Sequence, residues 1–132
     1  MEDITLTERR AIGATIRKEV LGATHTQQNT EPHLFDAVFR EFTEDFCWGN
    51  VWNRAGLTRS MRSMLNLAML ASLGRWHEFE VHTRGALNNG VTEEEIAEVV
   101  LQAGVYAGIP VAAEGLRRAK AIVLEQKAKA AA

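Results

Sequence analysis

The chain has 132 residues, of which 46% are hydrophobic and 24% charged, with a formal net charge of −2. That size suits one domain with one buried core, and the composition excludes a disordered chain. The near-neutral charge offers no footprint for nucleic acid or an anionic membrane surface as partner, and a single cysteine, Cys47, excludes an internal disulfide or a cysteine-based zinc knuckle.

Helical periodicity dominates, interrupted by only two prolines. A first helix is expected over Thr7–Val20, opened by a threonine cap, with Ile12, Ile16 and Val20 four apart. Gly22 is placed where it would stop, and the polar stretch "LGATHTQQNT" reads as a connection. From Glu31 to about Val51, Pro32 stands near the start and Leu34, Val38 and Phe42 repeat every four residues. This predicts a long amphipathic helix ending in the aromatic run "FCWGNVW".

Thr58 can cap a third helix reaching about Leu73. Its apolar residues surround most of its circumference, so a central, buried position is expected. Gly74 marks a break, and the next helix ends at "NNG", where Gly90 can take a positive φ. Thr92 followed three residues later by Glu95 is a capping box opening a fifth helix. Gly108-Ile109-Pro110 breaks it, and a last helix is expected over Val111–Gln126, with residues 127–132 a frayed tail. The expected fold is all-α, about six helices in one domain spanning residues 1–132. No apolar run reaches the roughly 18 residues of a bilayer span. The acidic opening "MEDITLTERR" is no secretory signal, which makes the cytosol the expected compartment.

The stretch "GRWHEFEVH", Gly74–His82, lies one residue away from the zinc-protease pattern H-E-x-x-H. At about 100° per residue, His77 and His82 stand about 140° apart and cannot chelate one ion from one helix. Glu78 and His82 could supply two ligands, but no second cluster completes a site, and no metal is expected. Arg75, Glu78, His82, Gly85 and Asn89 fall within roughly 80° of one another. A carboxylate one turn from an imidazole suits acid–base work, and an arginine one turn earlier suits gripping a carboxylate. The simpler reading of the pattern alone is an exposed ionic ladder or a polar strip at a subunit contact. His77, Glu80, Arg84 and Asn88 lie on the other side, where Glu80 and Arg84 form an i,i+4 pair suited to a solvated face.

The segments "WGNVW", "RSMLNLAML", "LGRWHE", "H-x-RGALNNG" and "TEEEIAEV" together resemble the carboxymuconolactone decarboxylase family. The likeness runs from about Thr7 to Glu125 and is nearest the branch that acts in protocatechuate breakdown by the β-ketoadipate pathway. It implies an alkyl hydroperoxidase D-like helical fold assembled as a homo-oligomer, commonly a hexamer. The hydroperoxidase branch carries a Cys-x-x-Cys pair before its histidine. Aligned on His82, those cysteines would fall at Arg75 and Glu78, so a dithiol mechanism has no residues here. Cys47, beside Phe46 and Trp48, reads as packing.

The resemblance implies a dicarboxylate lactone substrate, 4-carboxymuconolactone, and its decarboxylation to β-ketoadipate enol-lactone. The ring is its own electron sink, so no cofactor is expected. His82 and Glu78 become the candidate acid–base pair, and Arg75 the first candidate grip on the dianion, ahead of Arg62 and Arg59. Trp48 and Trp52, with Trp76, are candidates for a low-dielectric wall. Three alternatives stay open: a lyase or isomerase for another small lactone or acid, a non-catalytic oligomeric binding protein, and a redox protein acting through Cys47.

Overall fold

A computed structural model describes residues 4–22 and 33–132, and among them there are helices and no strand. The chain forms two compact units, Met1–Thr58 and Arg59–Ala132. The all-α architecture agrees with the fold that the resemblance implies.

The first unit contains α1 (Leu6–Leu21) and α2 (Leu34–Phe42), which continues as a π-helical segment, Thr43–Val51. The cap of α1 is Thr5, two residues before the expected threonine. Thr5 and Glu8 form a capping box, in which each side chain satisfies the other's backbone N–H. Gly22 ends α1 at φ 90°, donating its N–H to the Lys18 carbonyl. α1 packs on the π-helical segment, and glycines make the crossing close. A Cβ on Gly13 would lie 1.9 Å from the Glu44 carbonyl oxygen, and one on Gly49 would lie 2.5 Å from that of Arg9. An Arg9–Asp45 ion pair spans the same crossing. Ile16, Val20, Trp48 and Trp52 are buried in this unit.

The second unit has four helices: α3 (Arg59–Ser72), α4 (Trp76–Asn88), α5 (Glu93–Ala107) and α6 (Ile109–Ala131). Leu67 and Ala71 of α3, Phe79 and Ala86 of α4, Ile96 and Val100 of α5, and Ala119 of α6 form its core. Each large apolar side chain buried there contributes about 1.5–3 kcal/mol. α5 opens on the expected Thr92–Glu95 capping box. α5 and α6 approach closely at Gly104, where a Cβ would meet that of Ala112 at 2.5 Å.

Three expectations need correction. α3 is not buried all round: Ser63, Leu67 and Ala71 face inward, while Met61, Leu65, Met69 and Leu73 are exposed along the opposite stripe. Its apolar circumference serves an inner face and an outer one. The expected frayed tail is helical to Ala131, because Ala, Lys, Gln and Glu are strong helix formers. Lys127 also pairs with Glu93 at 2.9 Å. Glu80 and Arg84 do not pair with each other. Glu80 meets Arg118 at 3.1 Å and Arg84 meets Glu125 at 2.9 Å, so both reach across to α6, while His77 and Asn88 on the same side are exposed.

Candidate active site

Gly74, at φ 69°, turns the chain between α3 and α4. The turn is closed by bonds from the Gly74 N–H to the Ala71 carbonyl and from the Arg75 N–H to that of Leu70. Arg75 is therefore the N-cap of α4, exposed, and its side chain makes no capping bond. Phe79, Thr83 and Ala86 fix the inward face of the helix. Thr83 is fully buried and is satisfied by donating its hydroxyl to the Phe79 carbonyl at 2.7 Å.

With that face fixed, the expected stripe is carried along the adjacent edge. Glu78 is exposed, His82 is half-buried one turn later, and Gly85 is buried. His82 faces α3, where the Asn66 amide nitrogen lies 3.3 Å from its Nδ1. Further along, the Asn89 amide donates to the hydroxyl of Ser63 at 3.1 Å. Ser63 is 1% exposed, so this bond satisfies a buried polar group. Two polar pairs thus join α3 and α4 beside the apolar core. Arg62, half-buried, stands one turn before Asn66 on α3, and Arg59 is exposed at the start of that helix.

Asn66 and Ser63 had not been singled out from sequence. The available signal was polarity: Asn66 stands inside the apolar run "MLNLAML", where a side-chain amide needs a partner. His77 is exposed and off the stripe, as the wheel separates it. His33 caps α2, its Nδ1 accepting the Phe35 N–H at 3.1 Å, while His25 lies outside the described residues.

Trp48 and Trp52 belong to the first unit, nearly buried, with ring centroids 5.0 Å apart. Cys47 immediately precedes Trp48 in sequence, and burial pushes its thiol above the ordinary value, opposed by a hydrogen bond with Trp52. A thiol shifted upward is a poor source of thiolate at neutral pH, which argues against the redox alternative. Trp76 packs in the second unit, edge-on to Phe79 at 5.4 Å and beneath the Arg118 guanidinium at 5.5 Å. No group of three or more His, Cys, Asp or Glu side chains able to hold a metal exists among the described residues. No helix there is long and apolar enough to cross a membrane.

Residues 37–121 match the model of the carboxymuconolactone decarboxylase family. The chain is 38% identical over 116 residues to 4-carboxymuconolactone decarboxylase of Acinetobacter baylyi, which covers 87% of each chain. It is 43% identical over 107 residues to nitrosuccinic acid decarboxylase npaB of Metarhizium robertsii, covering 79% of this chain and 73% of that one. A 15.0 kDa protein of Paracoccus denitrificans, uncharacterised, is 30% identical over 81 residues, 60% of each chain. A family match across well over half of the sequence, joined to two decarboxylases that align with 87% and 79% of it, places the chain in the carboxymuconolactone decarboxylase family as a carboxy-lyase.

Proposed function

We propose that this protein decarboxylates 4-carboxymuconolactone to β-ketoadipate enol-lactone, with His82 and Glu78 as its acid–base groups and no cofactor. The observation that carries this reading is the 38% identity to a 4-carboxymuconolactone decarboxylase over 87% of both chains. The Asn66–His82 contact supports it, because it holds a half-buried imidazole beside an exposed carboxylate.

The chemistry asks three things of the protein. The bond from the ring carbon to the departing carboxylate breaks, and its electron pair moves through the ring C=C onto the lactone oxygen. A donor must stabilise that oxygen, and His82 is the group for it. The resulting dienolate takes a proton at the carbon beside the carbonyl. Glu78 in its acid form delivers it and reloads from solvent, to which it is exposed. The substrate is a dianion, and Arg75, one turn before Glu78, is the first candidate to grip it, ahead of Arg62 and Arg59.

The relative acting on nitrosuccinic acid supports a second substrate on the same plan. In both acids the carbon that loses CO2 carries a CH2–COO⁻ arm and is joined to an electron sink, an unsaturated lactone in one and a nitro group in the other. Both are substituted succinates. The purified protein, with no added cofactor, is to be given each acid while CO2 is followed. Release from 4-carboxymuconolactone is the expected result. Release from nitrosuccinate alone would move the assignment to the second acid, and release from neither would overturn it.

The exposed apolar stripes on α2 and α3 support a homo-oligomer, as the hexamer of the resemblance implies. No residue of α2 is buried, and Phe35, Phe39, Phe42 and Phe46 are all more than half exposed. Contiguous apolar surface of that kind marks protein contacts.

A further inference from the structure

We propose that Asn66 is a positioning residue that keeps the His82 ring neutral with its proton on Nε2, which makes His82 the hydrogen-bond donor of the site and leaves proton delivery to Glu78. The inference rests on His82 and Glu78 being the acid–base groups and divides the work between them.

The Asn66 amide nitrogen lies 3.3 Å from His82 Nδ1 in a half-buried setting. An amide nitrogen carries hydrogens and no usable lone pair, so it can only donate. Nδ1 therefore accepts, and the one proton of a neutral imidazole sits on Nε2. A proton added to Nδ1 would face the amide N–H, donor against donor, so Asn66 opposes the imidazolium form. A carboxylate at Nδ1, as in hydrolytic triads, does the opposite and stabilises the charged ring.

The surroundings hold this geometry. Asn66 sits between Leu65 and Leu67, and Leu67 is fully buried in the core against which α4 packs. The Asn89–Ser63 bond pins the same two helices on the other side of His82 in sequence, limiting their rotation about each other. Of the charged residues on the two helices that carry the pair, Glu78 and Arg75 lie within about two turns of His82 on α4, and Arg62 and Arg59 within about two turns of Asn66 on α3. On α6, Arg118 and Glu125 are engaged with Glu80 and Arg84. Asn66 is thus a neutral donor held at Nδ1, and its contact favours the proton on Nε2.

The consequence for catalysis follows. A neutral Nε2–H can stabilise the lactone oxygen by hydrogen bonding, but losing its proton would leave an imidazolate, which is prohibitive near neutral pH. The proton that ends on carbon then comes from Glu78, and the ring returns unchanged after each turnover.

The test reads His82 directly. Protein labelled with 15N-histidine gives two-bond 1H–15N correlations that report tautomer and titration for each ring, with His82 assigned by its loss in His82→Asn. In the wild type, His82 is expected as the Nε2–H tautomer. Asn66→Asp should raise its titration midpoint by about one pH unit or more, and Asn66→Ala should raise it by less. His33 and His77 should keep their midpoints in both variants. A wild-type His82 with its proton on Nδ1 would overturn the proposal, as would midpoints unmoved in both variants. The tautomer is read on the wild type alone, so the test survives a variant that fails to fold. It is also independent of CO2 release, so a failed assay and a failed tautomer assignment are separate outcomes.

Discussion

His82 and its neighbours show how far single residues could be read from the chain. Helical spacing alone separates His77 from His82 and groups Glu78 with His82, because the 3.6-residue period needs no tertiary information. Asn66 and Ser63 were beyond that reading, since which residue meets His82 depends on how α3 and α4 pack. Charge partners were misread for the same reason: Glu80 and Arg84 reach α6 instead of each other. On α6, Glu114 accepts hydrogen bonds from Arg117 and Arg118, which hold its carboxyl well down, to about 2 against an ordinary 4.5. A depressed carboxyl stabilises the fold above its ordinary value, and that contribution is lost as the pH falls from about 4.5 toward about 2. Glu114→Gln should therefore melt lower than wild type near neutral pH and converge with it near pH 2 in thermal scans. A constant difference across that range would contradict the assignment.

At the scale of the element, capping chemistry was legible where it is local. The Thr92–Glu95 box and the glycines at positions 22, 74, 90 and 108 stand where the spacing puts them, each of these glycines at positive φ. The π-helical pitch of Thr43–Val51 was not legible, because its residues have ordinary helical composition. The crossing with α1 offers a tertiary signal instead, two glycines whose backbones touch the opposing helix. Gly49→Ala would place a methyl 2.5 Å from two carbonyl oxygens, those of Arg9 and Glu44. Overpacking of this kind costs about 1–3 kcal/mol, read as a lower denaturation midpoint with the spectral signature of the first unit affected. Wild-type stability in Gly49→Ala would show that the crossing is looser than described.

For the molecule as a whole, the burial pattern of α3 carries the main lesson. Apolar residues around a helix predict complete burial, yet Met69 and Leu73 are 52% and 72% exposed. With Ala103 and Tyr106 of α5 they line an open apolar groove in the second unit. A sequence records that a face is to be covered and not whether the cover is the same chain or another copy. Met69→Glu combined with Tyr106→Glu should convert an assembled wild type to a smaller species in sedimentation velocity, with helix content retained by circular dichroism. A wild type that sediments as a monomer would contradict the oligomer reading.

The most direct measurement is CO2 release from 4-carboxymuconolactone by wild type, His82→Asn and Glu78→Gln, without added cofactor. A lost oxyanion donor or proton donor costs on the order of 100-fold or more in turnover. Robust wild-type release, with each variant folded and slowed by about that factor, is the predicted result. Near-wild-type turnover in both variants would contradict the account.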